Sequence, residues 1–204
     1  MSLRKAALII FLILLVDQVS KVYIKTSFML GDGFDVFSWF KIHFVENEGM
    51  AWGAKIPGEY GKLFLTLFRL LAIVGIGWWL WDSVRKNSPR VLTVAIAFIF
   101  AGAMGNIIDS VFYGIIFNDS LNQVASFMPV DGGYGTLFHG KVVDMLYFPL
   151  WNGMLPEWIP FWGGEHFVFF EPVFNIADSA ITIGVLLLIV FNNKAFPKGE
   201  EPKA

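Results

Sequence analysis

Four long apolar runs restrict this chain to a narrow set of folds. They cover about residues 6–24, 63–81, 91–112 and 173–191. A helix that crosses a bilayer needs about 20 mostly apolar residues, and each run has that length. Composition supports the same reading. Of 204 residues, 56% are hydrophobic and 16% charged, where soluble domains carry about 45–50% and about 25%. The mean hydropathy is +0.61. That excess is too large for one soluble core. The 22 Phe and 8 Trp suit a chain with aromatic belts at two membrane surfaces. The expected fold is an all-α membrane protein: four transmembrane helices, a small extracytoplasmic β-sheet or cradle, and a long extracytoplasmic loop. Residues 1–193 read as one domain and 194–204 as a cytoplasmic tail.

The first run follows Arg4 and Lys5, as a signal peptide would. Asp17 interrupts it and no small-residue cleavage site follows, so it reads as a retained helix. Basic residues in the flanks set orientation. Arg4 and Lys5, then Arg85, Lys86 and Arg90, then Lys194, Lys198 and Lys203 must share one side, because two helices separate each group from the next. Segment 113–172 carries only Lys141. Both termini are therefore expected in the cytoplasm. Lys21, Lys25, Lys41, Lys55 and Lys62, in or beside the other outer segment, 25–62, count against this.

Segment 25–62 combines strand-like alternation from Phe37 to Val45 with Gly-rich turns. In segment 113–172, the run from Leu155 to Gly164 is rich in Trp, Phe and Pro, as expected of an interfacial loop. Loops this long are uncommon without a function. The net charge of −2 does not suggest a nucleic-acid partner, and the absence of Cys removes thiolate chemistry. His43, His139 and His166 have no ligand spacing, so neither a metal nor another cofactor is expected.

Ionisable residues inside a span are costly and usually face the protein interior. Here they are Asp17 and Lys21 in the first run, Arg69 in the second, Asp109 in the third and Asp178 in the fourth. Asp178 lies about five residues, or roughly 8 Å, inside the outer end of its run. Three carboxylates from three helices thus converge at one level, and Asp144 in the preceding loop can reach it. Asp17 and Lys21 are four apart, share a helix face and can pair, so they read as structural. Asp109 and Asn106 share a face, with Gly102 and Gly105 allowing close helix approach; support or packing fits them best. Asn175 and Asp178 also share a face, where an amide can position something beside the carboxylate. Arg69 reads as pairing with a carboxylate or snorkelling to the membrane surface, without a catalytic role.

Five blocks then occur in a familiar order: Asp17-Gln-Val-Ser-Lys21, Asn47-Glu-Gly-Met-Ala-Trp-Gly53, Gly105-Asn-Ile-Ile-Asp109, Val142-Val-Asp144 and Phe174-Asn-Ile-Ala-Asp-Ser179. Along nearly its whole length the chain resembles the lipoprotein signal peptidase (signal peptidase II) family. The resemblance implies an intramembrane aspartic endopeptidase of the bacterial inner membrane, acting at the periplasmic side. Its substrates would be prolipoproteins carrying a diacylglyceryl group, cut just before the lipidated Cys. It implies Asp144 and Asp178 as the catalytic pair. Asn47, Gly49, Asn106 and Asn175 would bind substrate, and Asp17, Lys21 and Asp109 would support the site. Membrane lipid is the other expected partner, and the chain is expected to be a monomer. Two features depart from the family: Ser110 stands where it usually has Arg, and 113–139 and 147–170 are longer than usual. Two other classes compete, a small proton-coupled transporter and a non-enzymatic membrane scaffold. Acids gathered at one side, with no internal repeat, argue against the transporter.

Overall fold

The computed structural model describes residues 1–48 and 61–197. Gly49, the rest of its block up to Gly53, and Lys55, Lys198 and Lys203 lie outside the described residues.

The apolar runs fold as helices: α1 Leu3–Lys25, α2 Gly61–Arg85, α3 Arg90–Ile108 and, in the fourth run, a shorter helix. Among the described residues three helices are long and apolar enough to cross a membrane, the third being α3 with its extension to Ile116. The extension is a π-helical turn, Asp109–Tyr113, followed by the short α4, Gly114–Ile116. The fourth run corrects the expectation of a helix over 173–191. Here α5 spans only Ile176–Val190, 15 residues, and the four-residue α6, Asn192–Ala195, follows it. The reason is local. Asn175 caps α5 through a capping box with Asp178, which ends the helix there. Phe174, just before the cap, pairs with Leu146 as an isolated bridge.

Helix α3 is the hub, packing on α1, α2 and α5. Small residues allow this. A Cβ on Gly102 would lie 2.2 Å from the Ala177 carbonyl oxygen, and one on Gly105 would lie 2.6 Å from Asp17 Oδ2. Both glycines therefore mark contacts that an added side chain would force apart. Outward faces of α1, α2 and α5 carry exposed Phe11, Val19, Phe68, Leu71, Val74, Ile189 and Val190. Contiguous exposed apolar surface on this scale marks a lipid-facing protein.

The outer segments supply the strands. β1 Gly33–Phe37 and β2 Phe40–Asn47 form a hairpin, and β3 Val142–Tyr147 joins β2 antiparallel as the third strand. β4 Trp151–Met154 and β5 His166–Phe169 form a separate hairpin. Phe44, Val143 and Met145 of the sheet pack with Ile24, Tyr113 and Phe117 in one buried cluster, which fixes the sheet over the ends of α1 and α3.

Three of the basic residues that count against the orientation, Lys21, Lys25 and Lys41, lie in ion pairs. Lys21 is buried against Asp17 and Asp109. Lys25 is buried against Glu46 and donates to Ser120 Oγ at 2.8 Å. Lys41 pairs with Asp35. Burial alone would raise the Glu46 carboxyl; the charges of Lys25 and Lys141 outweigh it and hold that carboxyl below its ordinary value.

Candidate active site

Strand β3 delivers Asp144. The residue lies opposite Val45 of β2 and is 3% exposed. Two residues further on, the backbone of Leu146 exchanges hydrogen bonds with that of Phe174, at 2.7 and 3.0 Å. That bridge brings Asn175 beside Asp144, and the cap brings Asp178 one helical turn later. Residues separated by more than thirty positions thus meet at the start of α5.

Asn175 connects the two acids. Its side-chain amide donates to Asp144 Oδ1 at 2.7 Å. Its backbone N–H donates to Asp178 Oδ2 at 3.3 Å, and its side-chain oxygen accepts from the Asp178 N–H at 2.9 Å. Asn106 supports the same pair from α3, donating to Asp178 Oδ1 at 2.7 Å and accepting from Asn175 at 3.1 Å. Asn47 donates to Asp144 Oδ2 at 3.3 Å. Five of the residues singled out from sequence, Asn47, Asn106, Asp144, Asn175 and Asp178, are therefore in one hydrogen-bonded constellation.

Beneath it lies a buried ion cluster. Lys21 Nζ reaches Asp17 Oδ2 at 3.0 Å, Asp109 Oδ2 at 2.9 Å and Asn106 Oδ1 at 2.9 Å, which uses all three ammonium donors. Asp17 Oδ1 also accepts from the Ala177 N–H at 2.9 Å, a second carboxylate at the α5 N-terminus, where the helix dipole favours negative charge. Asp109 Oδ2 accepts from the Val143 N–H at 3.2 Å, one residue before Asp144. The structural reading of Asp17, Lys21 and Asp109 thus acquires a geometry: they hold the start of α5 and the middle of β3 together.

Sequence reasoning missed two members. Gln18 donates to Asp17 Oδ2, Gly105 O and Asp109 Oδ1 at 2.9–3.2 Å, and Tyr113 donates to Gln18 Oε1 at 3.2 Å. A second polar residue beside Asp17 in an apolar run was the signal for Gln18. Ser110, where an Arg is usual, is buried and donates to the Asn106 carbonyl at 2.9 Å, away from the acids. Arg69 on α2 is half-buried.

The Asp144 carboxyl is pushed up to about 7, first by burial and then by the negative charge of Asp178; hydrogen bonds from Asn47 and Asn175 and the charge of Lys21 oppose the rise. Asp178 opens onto a pocket of about 350 Å³ lined by Phe170, Pro172, Phe174, Ser179, Thr182 and Ile183. A half-protonated acid beside a second acid, at the end of an apolar pocket, can activate water and protonate a leaving group.

Comparison with known proteins points to one family. The family model described as Signal peptidase (SPase) II matches residues 9–193. A protein named lipoprotein signal peptidase from Porphyromonas gingivalis is 52% identical over 188 residues, covering 92% of this chain and 82% of that protein. One of the same name from Amoebophilus asiaticus is 36% identical over 186 residues, covering 89% and 75%. A solved structure of a bacterial membrane enzyme, obtained by the in meso method at 2.3 Å resolution, superposes with a TM-score of 0.64 at 26% identity, covering 98% of this chain and 96% of that one. The transporter alternative finds no support among these relatives. With a family match running from α1 to α6 and relatives above 30% identity over most of their length, the chain belongs to the lipoprotein signal peptidase (signal peptidase II) family of bacterial membrane proteases.

Proposed function

We propose that Asp144 and Asp178 are the catalytic dyad of an aspartic endopeptidase, and that Asn47, Asn106 and Asn175 hold the dyad and the substrate backbone. Asp17, Lys21 and Asp109 then act as the support on which the dyad rests. The observation that carries the reading is the shared donor: Asn175 hydrogen-bonds Asp144 through its side chain and Asp178 through its backbone. Two carboxyls held this close to one residue do not both ionise readily. Asp144, raised to about 7, is the member that holds the proton, and Asp178 is the base.

In this mechanism Asp178 takes a proton from a water lying between the acids, and the hydroxide attacks the scissile carbonyl carbon. Asp144 donates its proton to the carbonyl oxygen. The tetrahedral intermediate then collapses: the C–N bond breaks, the amine leaves with the proton that Asp178 collected, and one hydroxyl of the intermediate returns its proton to Asp144 as the carboxyl product forms. No covalent intermediate forms, and the two apparent pKa values belong to the pair.

The substrate in this reading is a prolipoprotein bearing a diacylglyceryl group, cut just before the lipidated Cys. The chain acts as a monomer in the bacterial inner membrane. It has four spanning helices, with α5 as the fourth, both termini in the cytoplasm, and the two sheets on the periplasmic side. Residues 1–193 are one peptidase unit and 194–204 a cytoplasmic tail. The pocket at Asp178, apolar along Phe170, Phe174 and Ile183, suits a substrate that stays in the lipid while its polar scissile bond reaches the acids. The test is incubation of the purified chain with a diacylglyceryl-modified precursor and with its unmodified control. Cleavage of the first alone is expected; equal cleavage of both would refute the substrate class.

A further inference from the structure

The β4–β5 hairpin has no part in the chemistry, yet it carries the most exposed aromatic surface in the described chain. Its strands pair in register from Trp151 opposite Phe169 to Met154 opposite His166. Its tip is an ordered turn, closed by Leu155 N–H to Glu165 O at 2.9 Å, Gly164 N–H to Leu155 O at 3.0 Å and Gly163 N–H to Ile159 O at 2.9 Å. On that turn Phe161 is 94% exposed, Trp158 80% and Trp162 61%. Phe161 has φ +69°, a left-handed conformation that is unfavourable for a non-Gly residue. Glycine or asparagine would suit that backbone better, and the ring buries almost nothing within the chain. Its apolar surface serves something outside.

Two further observations identify what. First, α5 has 15 residues, about 22 Å at 1.5 Å per residue, while the hydrocarbon core is about 30 Å thick. The hairpin leads directly into the N-terminal end of α5, where apolar surface is short. Second, a ladder of ring contacts runs from the sheet to the hairpin. Phe37 stacks on Trp39 at 5.4 Å, Trp39 on Phe148 at 6.1 Å, Phe148 on Phe174 at 5.6 Å, and Phe174 meets Phe170 edge-on at 5.9 Å. Phe37 and Trp39 are themselves exposed. Aromatic side chains in continuous contact beside the end of an apolar helix suit the headgroup layer. Segment 150–172 contains Glu157, Glu165 and Glu171 and no Lys or Arg, so attraction to anionic headgroups plays no part.

We propose that the β4–β5 hairpin is a membrane-seating element, with Trp158, Phe161 and Trp162 inserted at the boundary between headgroups and acyl chains. It extends the apolar surface of α5 and fixes the height of the acids relative to the bilayer. The absence of Cys from the chain makes the test direct. Phe161→Cys, Trp158→Cys and, as a water-exposed control in the turn between α2 and α3, Lys86→Cys are each labelled with a bimane fluorophore. The full chains are placed in phosphatidylcholine nanodiscs, with lipids brominated high on the acyl chain as one quencher and aqueous iodide as the other. At least threefold stronger quenching by brominated lipid at positions 158 and 161 than at 86 is expected, with weaker quenching by iodide, and the same result in nanodiscs containing phosphatidylglycerol. Iodide quenching at both hairpin positions equal to that at 86, or lipid quenching only when anionic lipid is present, would overturn the proposal.

Discussion

Asp144→Asn separates the catalytic reading from a merely structural one, because it is expected to abolish cleavage and to stabilise the fold at alkaline pH. An aspartate has an ordinary pKa of about 3.9; Asp144 sits at about 7. The folded chain therefore binds this proton more tightly than the unfolded chain does. The associated stability is fully present below about pH 4, declines as pH rises, and is gone above about pH 8, at a cost of about 4 kcal/mol for a three-unit difference. Asparagine removes that penalty but keeps only one of the two present contacts. The Asn175 amide still finds an oxygen, while the Asn47 amide faces an NH₂ group in place of Asp144 Oδ2. Losing that hydrogen bond and opposing two donors costs about 2 kcal/mol. The net gain at pH 8 is about 2 kcal/mol, or a rise of about 4–8 °C in Tm for a chain of this size. At pH 4 the gain vanishes and the variant is the less stable protein. The assay is thermal unfolding of both proteins in one detergent at pH 4, 6 and 8, with cleavage measured on the same samples. A variant less stable than the parent at pH 8 by as much as at pH 4 would show that Asp144 is ionised at no cost, and the assignment of the proton to it would fail.

Three other substitutions probe the scaffold. Asn175→Ala removes the cap of α5 and the shared donor together, so a loss of about 1–2 kcal/mol in stability should accompany a fall in kcat of at least 100-fold; normal turnover would separate Asn175 from the chemistry. Lys21→Met leaves Asp17 and Asp109 buried and without their cation, which costs about 3–5 kcal/mol; the yield of folded protein should collapse, and a Tm within 2 °C of the parent's would refute the ion cluster's role. Gly102→Ala places a methyl group 2.2 Å from the Ala177 carbonyl oxygen and should cost about 1–3 kcal/mol by pushing α5 off α3, read as a lower Tm with reduced turnover.

The helices were legible because an apolar run of about 20 residues has few other solutions. The Asp17–Lys21 pair was legible because i,i+4 spacing puts both on one face. The limits follow from the same physics. Val173 and Phe174 are apolar, but apolarity does not distinguish helix from strand, and Phe174 bridges to β3. The signal that stops the helix, Asn175 with Asp178 three residues on, reads in sequence as a capping pattern and also as a pair on one helix face. The link from Asp109 to the Val143 N–H left no local trace, since backbone partners are set by tertiary packing. The β4–β5 hairpin was hidden for a different reason. Trp151, Phe167 and Phe169 share one face, but Met154 and Val168 on the other face are apolar too, so the period-two alternation that marks a half-buried strand is lost. Lys25 looked like a loop charge opposing the orientation, whereas it is buried beneath Phe44, Phe117 and Tyr134 with Glu46 as its counter-ion.

The central claim, that two carboxyls act as one unit, is tested most directly by single-turnover cleavage of a diacylglyceryl-modified precursor by Asp144→Asn, Asp178→Asn and the double variant. Groups that act together are strongly non-additive, so each single variant should fall to the residual rate of the double, with the fold intact. A single variant that keeps a tenth or more of the parent rate, or a double variant whose loss is the product of the two single losses, would contradict it.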